Sequence, residues 1–310
     1  MKALRDVFGD TLSELARRNA SVVVLDADLA NSTKADKFAQ AHPGRFLEMG
    51  IAEQNMVGVA VGMATLGFVP WLSSFTIFFT HRALDPVRML VAQTHANVKI
   101  GAAYSGLLTG YTGKTHQDVE DLAIMRAMPG MTVLAPADEF ECAAMIHWAT
   151  EYVGPVYLRL TRDPSAPVFG PDYCFEPGAL HQLRDGSDLL MISTGTQSSR
   201  CFEAAQALEK EGISAAVLHV PTIKPLRPED LLRVCEKFEL VFTVEEHSKL
   251  GGLGGLVSEI LSEHSPRRVV RLGLQDQWGE SAPNDFLLDK YQLSAQRVAE
   301  QIAARRKQTR

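Results

Sequence analysis

Along the chain, short apolar runs alternate with longer segments in which apolar residues recur every three or four positions. "SVVVLDA", "GFVPWLSSF", "NVKIGAAYS", "MTVLAPA" and "GPVYLRLT" have strand length, and their nearly continuous apolar character suits strands covered on both faces. The spacing between them predicts helices, among them Ile51 to Leu66 and Arg82 to His95. From about Arg162 to Asp188 the pattern breaks, because "RDPSAPVFGPDYCFEPGALHQLRDGSD" carries four prolines and three glycines without periodicity. Beyond it come "DLLMIST", a helix from Ser198 to Lys210, "SAAVLHV", a helix after "RPED", "ELVFTVEE", a glycine-rich turn into a helix, and "RRVVRLG". Strands alternating with helices build parallel sheets with helices on both faces. The expectation is an α/β protein of two doubly wound domains, residues 1–170 and a smaller unit at 188–310, with a linker at 171–187.

A length of 310 residues is enough for two cores. The net charge of −6, with acids and bases interspersed, offers no basic surface for nucleic acid or an anionic membrane, which leaves small molecules and proteins as partners. No apolar run approaches membrane-spanning length, and "MKALRDVFGDTLSELARRN" reads as an amphipathic helix rather than a signal or transit peptide. Cys142, Cys174, Cys201 and Cys235 lack the paired spacing of zinc or redox sites, so buried thiols in a reducing, cytoplasmic compartment are expected.

Candidate chemistry begins at "GIAEQNM", where Glu53 opens a helix made largely of small residues. A first-turn Glu ordinarily complements the helix dipole at a solvated edge. Here Gly50, Gly58 and Gly62 would admit another backbone, and Ala52, Ala60 and Ala64 leave little room for water. A carboxylate in such a place needs a partner or becomes a proton-handling group. Phe75 and Phe78 follow at helical spacing, which alone suits a core. Gly106, Gly110 and Gly113 predict a flexible loop ahead of Thr115, His116 and Gln117. "STGTQ" is taken as a plain strand-to-helix turn without a site.

The stretch "GIAEQNMVGVAVGMATLGFVPWLSSFTIFFTHRALDPVR" closely resembles the pyrimidine-binding domain of transketolases, enzymes that use thiamine diphosphate. The resemblance implies that Glu53 hydrogen-bonds a pyrimidine ring nitrogen of the cofactor, stabilising the imino tautomer that takes the thiazolium proton. It implies that Phe75 and Phe78 stack on the aminopyrimidine. The family's third aromatic position is His81 here, which either hydrogen-bonds near the cofactor or faces solvent. "THQDVEDLAIMRAMPGMTVLAPAD" matches the family almost in register and makes His116 the proton-shuttling residue of the substrate channel. Arg5, Ser32 and Arg162 match positions that hold the substrate phosphate, for which arginine forks are suited, and Asp28 matches a residue near the cofactor. Thr112 stands where the family has an acid touching acceptor hydroxyls, and Tyr104 falls at about the position of a channel His. Both departures leave a branched, deoxy or sulfonated acceptor open. "VEEHSKLGGLGG" matches the family's C-terminal domain, with glycines for tight packing at an interface.

The resemblance extends over the whole chain but reaches only the last two of the family's three domains. The Gly-Asp-Gly motif that holds magnesium and the diphosphate is missing, since Gly9-Asp10 lies within a helical pattern. What is implied is the C-terminal subunit of a two-subunit transketolase, which moves a two-carbon ketol unit between sugar phosphates. Its partner would be an N-terminal subunit carrying the diphosphate site and the magnesium ligands, in a heterotetramer of two copies of each chain, with no metal ligands on this one. The beta subunit of a 2-oxoacid dehydrogenase and a non-catalytic regulatory subunit are the alternatives.

Overall fold

The computed structural model describes residues 1–307. Its strands are β1 (Val22–Asp26), β2 (Phe46–Glu48), β3 (Val69–Phe75), β4 (Lys99–Ala103), β5 (Thr132–Leu134), β6 (Val156–Arg159), β7 (His181–Arg184), β8 (Leu189–Ser193), β9 (Ala215–His219), β10 (Thr222–Lys224), β11 (Val241–Ser248) and β12 (Val269–Leu274). They form a seven-stranded sheet in the order β10-β5-β6-β4-β3-β1-β2 and a five-stranded sheet in the order β12-β11-β8-β9-β7. Every pairing is parallel except β10 on β5 and β7 on β9. This is the two-domain, mostly parallel α/β architecture that the alternating pattern predicts.

Both faces of the first sheet are covered, which is why its strands are apolar throughout rather than alternating. On one face the helices Leu4–Arg18 and Glu139–Glu151 pack Leu4, Phe8, Leu12, Met145 and Ile146 against Trp71, Leu134 and Leu158. On the other, Met56, Val57 and Ala60 of the helix Glu53–Thr65 join Leu25, Leu72 and Ile100, and the same apolar core continues into Leu190, Ile192 and Leu231 of the second half. The second sheet is backed by the helices Gln197–Lys210 and Ala295–Lys307.

Three features depart from expectation. His181–Arg184, inside the expected linker, forms strand β7 at the edge of the second sheet; its intermediate burial hides the apolar signature on which strand recognition depends. Thr222–Lys224, from the second half, adds antiparallel to β5 and so extends the first sheet, because Lys224 Nζ is anchored by the carbonyls of Arg126 (3.0 Å) and Met128. Finally, Cys142, Cys201 and Cys235 are buried, but Cys174 is exposed. Among the described residues no helix is long and apolar enough to cross a membrane.

Candidate active site

The carboxyl ends of β1, β3, β4 and β6 lie side by side, the edge where parallel α/β sheets gather ligand groups. Phe75 ends β3, and Phe78 opens the wide helical turn Phe78–Arg82 just beyond it. Their rings lie 14° from parallel with centres 6.0 Å apart. Tyr104 leaves β4 with φ of +56° and stacks on Phe75 at 4.0 Å. His116 meets both phenylalanines edge-on, at 5.8 and 5.7 Å. Its Nδ1 is 2.9 Å from the Thr115 hydroxyl.

Two arginines approach the same cluster. Arg5, in the first turn of the N-terminal helix, donates from Nη1 to the Tyr104 hydroxyl (2.8 Å) and to the carbonyl of Ser32 (2.9 Å). Arg162, just past β6, places its guanidinium 5.6 Å from the centre of the Tyr104 ring. Ser32 thus enters through its backbone, its carbonyl being the group that holds Arg5.

Glu53 begins its helix and is buried, with Arg82 Nη1 donating to Oε1 at 2.7 Å and to Oε2 at 2.9 Å. The partner that a carboxylate here requires is this arginine, whose guanidinium carbon also lies 4.2 Å from the centre of the Phe78 ring. Sequence reasoning passed over Arg82. Its place four residues after Phe78 was a usable signal, since such neighbours share a helical face, but its distance in sequence from Glu53 hid the ion pair. The close backbone approach expected at Gly50, Gly58 and Gly62 does not occur within this chain: a Cβ at each would meet nothing within 4 Å.

The other expected residues are held by polar contacts of their own. His81 Nε2 is 2.8 Å from Glu120 Oε1 and its Nδ1 is 2.9 Å from the Thr80 hydroxyl, on a half-exposed side chain. Asp28 is exposed, with φ of +62°, and its backbone N–H donates to Glu48 Oε1 at 2.8 Å. The hydroxyl of Thr112, an exposed residue, donates to Thr109. Asp118, also missed, is buried beside the loop, accepts a bond from the Thr80 hydroxyl, and is pushed up to about 6 by burial and by the neighbouring Asp121.

The loop before His116 is tied to the second domain at its start. Gly106 has φ of +78°, and a Cβ there would come within 2.3 Å of Glu246 Oε1, an atom that accepts from the Leu107 (2.7 Å) and Leu108 (3.1 Å) N–H groups. Glu246 belongs to β11, so the second domain fixes a loop of the first. Beneath it Arg159 donates from Nε to Asp121 (2.8 Å) and from Nη2 to the Glu246 carbonyl (3.0 Å), while the Tyr157 hydroxyl donates to the same Asp121 oxygen (2.8 Å). Within this buried set Arg159 and Asp121 match each other's charge, so removing either would leave the other buried and uncompensated.

A two-domain α/β frame with a buried helix-opening carboxylate near paired aromatic rings defines the class. Residues 1–166 match the family model "Transketolase, pyrimidine binding domain", and residues 178–298 match "Transketolase, C-terminal domain". The chain is 38% identical over 295 residues to a 6-deoxy-6-sulfo-D-fructose transketolase subunit of Clostridium sp. (strain MSTE9), covering 95% of this chain and 92% of that one. It is 36% identical over 278 residues to an apulose-4-phosphate transketolase subunit of Phocaeicola vulgatus, covering 89% of each. A solved split gene transketolase, described as an inactive beta4 tetramer, superposes with a TM-score of 0.87 at 43% identity over 96% of both chains. The chain belongs to the transketolase family.

An aminopyrimidine needs a flat apolar surface and one group able to bond a ring nitrogen. Phe75, Phe78 and Glu53 supply these, so the donor set fits that half of thiamine diphosphate.

Proposed function

We propose that this chain is the pyrimidine-binding subunit of a two-chain transketolase that transfers a two-carbon ketol unit between sugar phosphates. The observation that carries this is the fully buried Glu53 carboxylate, linked through Arg82 to Phe78 and so to the cluster of Phe75, Tyr104 and His116. Thiamine diphosphate, when bound, supplies the nucleophilic carbon and the electron sink for cleaving and forming the bond beside a ketose carbonyl. Glu53 holds a proton at the pyrimidine ring nitrogen, in a site dry enough for one carboxylate to control it. Phe75 and Phe78 fix the plane of that ring. His116, edge-on to both, moves protons at substrate hydroxyls, while Arg5 and Arg162 take the phosphate end.

We assign the diphosphate and magnesium ligands to a partner subunit, because this sequence lacks the Gly-Asp-Gly motif. The face of the helix that Glu53 opens supports such a partner: Gly58 and Gly62 have open space before them, and Ile51 and Leu66 at its ends are 72% and 78% exposed. Two copies of each chain is the assembly we infer. Thr112 in place of an acid, together with the similarity to the sulfofructose subunit, supports a substrate outside the common pentose phosphates. In the reconstituted two-chain enzyme Glu53→Gln is expected to lower ketol transfer at least about 100-fold, the usual scale of a lost acid–base group. Undiminished transfer would rule the assignment out, and brisk turnover of xylulose and ribose phosphates would rule out the unusual substrate.

A further inference from the structure

Arg82 joins the buried carboxylate to the stacking ring. Its Nη1 donates to both oxygens of Glu53, and its guanidinium lies over Phe78 with the central carbon 4.2 Å from the ring centre. The backbone is pinned, because the Arg82 carbonyl accepts from Gln54 Nε2 at 2.8 Å at the start of the Glu53 helix. The side chain is not pinned in this way: it is 43% exposed, while that of Glu53 is 0% exposed. Movement at this point is therefore open to the arginine side chain and closed to the carboxylate.

A guanidinium is planar, cationic and rich in N–H donors, so it offers a flat face to an aromatic ring and donors to a carboxylate. Under the assignment in the preceding subsection, an aminopyrimidine would make the same two contacts with the same two side chains. One face of Phe78 cannot carry both planar groups. At the carboxylate the competition is for space and charge: the Arg82 guanidinium sits at both Glu53 oxygens, although each oxygen still has a lone pair to offer a ring nitrogen once the guanidinium has moved aside. Without Arg82, the Glu53 carboxylate in the chain alone would lose its ion-pair partner, a strongly unfavourable state for a buried charge.

We propose that Arg82 is a built-in stand-in for the cofactor's aminopyrimidine, occupying Glu53 and Phe78 in the free chain and swinging outward when the pyrimidine enters. This rests on the thiamine diphosphate assignment. It makes cofactor binding a competition with an internal ion pair, and it keeps the buried carboxylate matched before the subunits are loaded.

The test is calorimetric titration of thiamine diphosphate with magnesium onto the assembled two-chain enzyme, in wild type, Arg82→Met and Arg82→Gln, with thermal melting of each full chain alone. Both variants are expected to bind the cofactor about tenfold more tightly, the order of a half-exposed ion pair removed from the competition. Alone, each should melt at a lower temperature than wild type because Glu53 has lost its counter-charge. A merely structural arginine would show the second effect without the first. Weaker or unchanged cofactor binding in the variants, with wild type binding normally, overturns the stand-in and leaves the functional assignment intact. Absence of binding by the wild-type complex overturns both. If Arg82→Met does not fold, Arg82→Gln, which keeps a neutral donor, decides by the same criteria.

Discussion

Asp26 closes β1 as a buried carboxylate that accepts from the Leu29 N–H (2.6 Å) and the Thr33 hydroxyl (3.1 Å). Burial, helped by the charge of Glu48, pushes it from an ordinary 3.8 up to about 6. Between those values the native chain binds a proton that the unfolded chain has released. The contribution of Asp26 to stability is therefore greatest below 3.8 and falls as pH rises towards 6. Asn cannot ionise, so the stability of Asp26→Asn relative to wild type should shift in the variant's favour by up to about 3 kcal/mol between pH 4 and pH 7. Urea denaturation at the two pH values measures it, and a difference independent of pH would show that Asp26 titrates normally. Single residues of this kind were the least legible in the sequence. Phe75, Phe78, His116, Arg5 and Arg162 could be nominated because their motifs are local, and the structure gathers them around Tyr104. Arg82 and Asp118 were passed over, because what most singles them out is a partner distant in sequence: Glu53 for one and Thr80 for the other.

At the scale of elements, strand identity was readable wherever a strand is buried on both sides, as in β1, β3 and β4, and was missed at β2, β7 and β10, which lie at sheet edges. An edge strand is short and half-covered, so it lacks the apolar run that marks a central one. The packing of central strands is exacting. A Cβ on Gly101 of β4 would come within 2.4 Å of the Phe8 ring, whose edge meets Trp71 at 5.8 Å between ring centres. Gly101→Ala is expected to cost about 1–3 kcal/mol, the range for overpacking a well-filled core. Chemical denaturation would check this, and Phe8→Leu in the same chain should recover part of the loss by making room.

Across the whole molecule, the second domain acts on the site without contributing to the ring cluster. The Glu246 carboxylate, raised by burial but countered by Arg200 and Arg159, holds the loop that leads to His116 through two backbone N–H groups. Glu246→Ala would leave those buried donors without an acceptor, at a cost of about 2–3 kcal/mol. It should also raise the substrate KM of the assembled enzyme by loosening the His116 loop. Glu246→Gln keeps an acceptor oxygen and should recover most of both effects; a loss as large as that of Ala would mean that charge, rather than the loop bonds, matters there.

Periodicity and contiguous motifs were enough to establish the α/β class, the two-domain architecture and the family, since each of these is written in residues close together along the chain. That β10 crosses into the first sheet, that the glycine loop is clamped by Glu246, and that Glu53 is matched by Arg82 came only with the folded molecule. Each of those is a contact between residues far apart in the chain, needed because burial has taken water away from at least one of the two partners. Burial of that kind does not exist until distant segments of the chain have packed together.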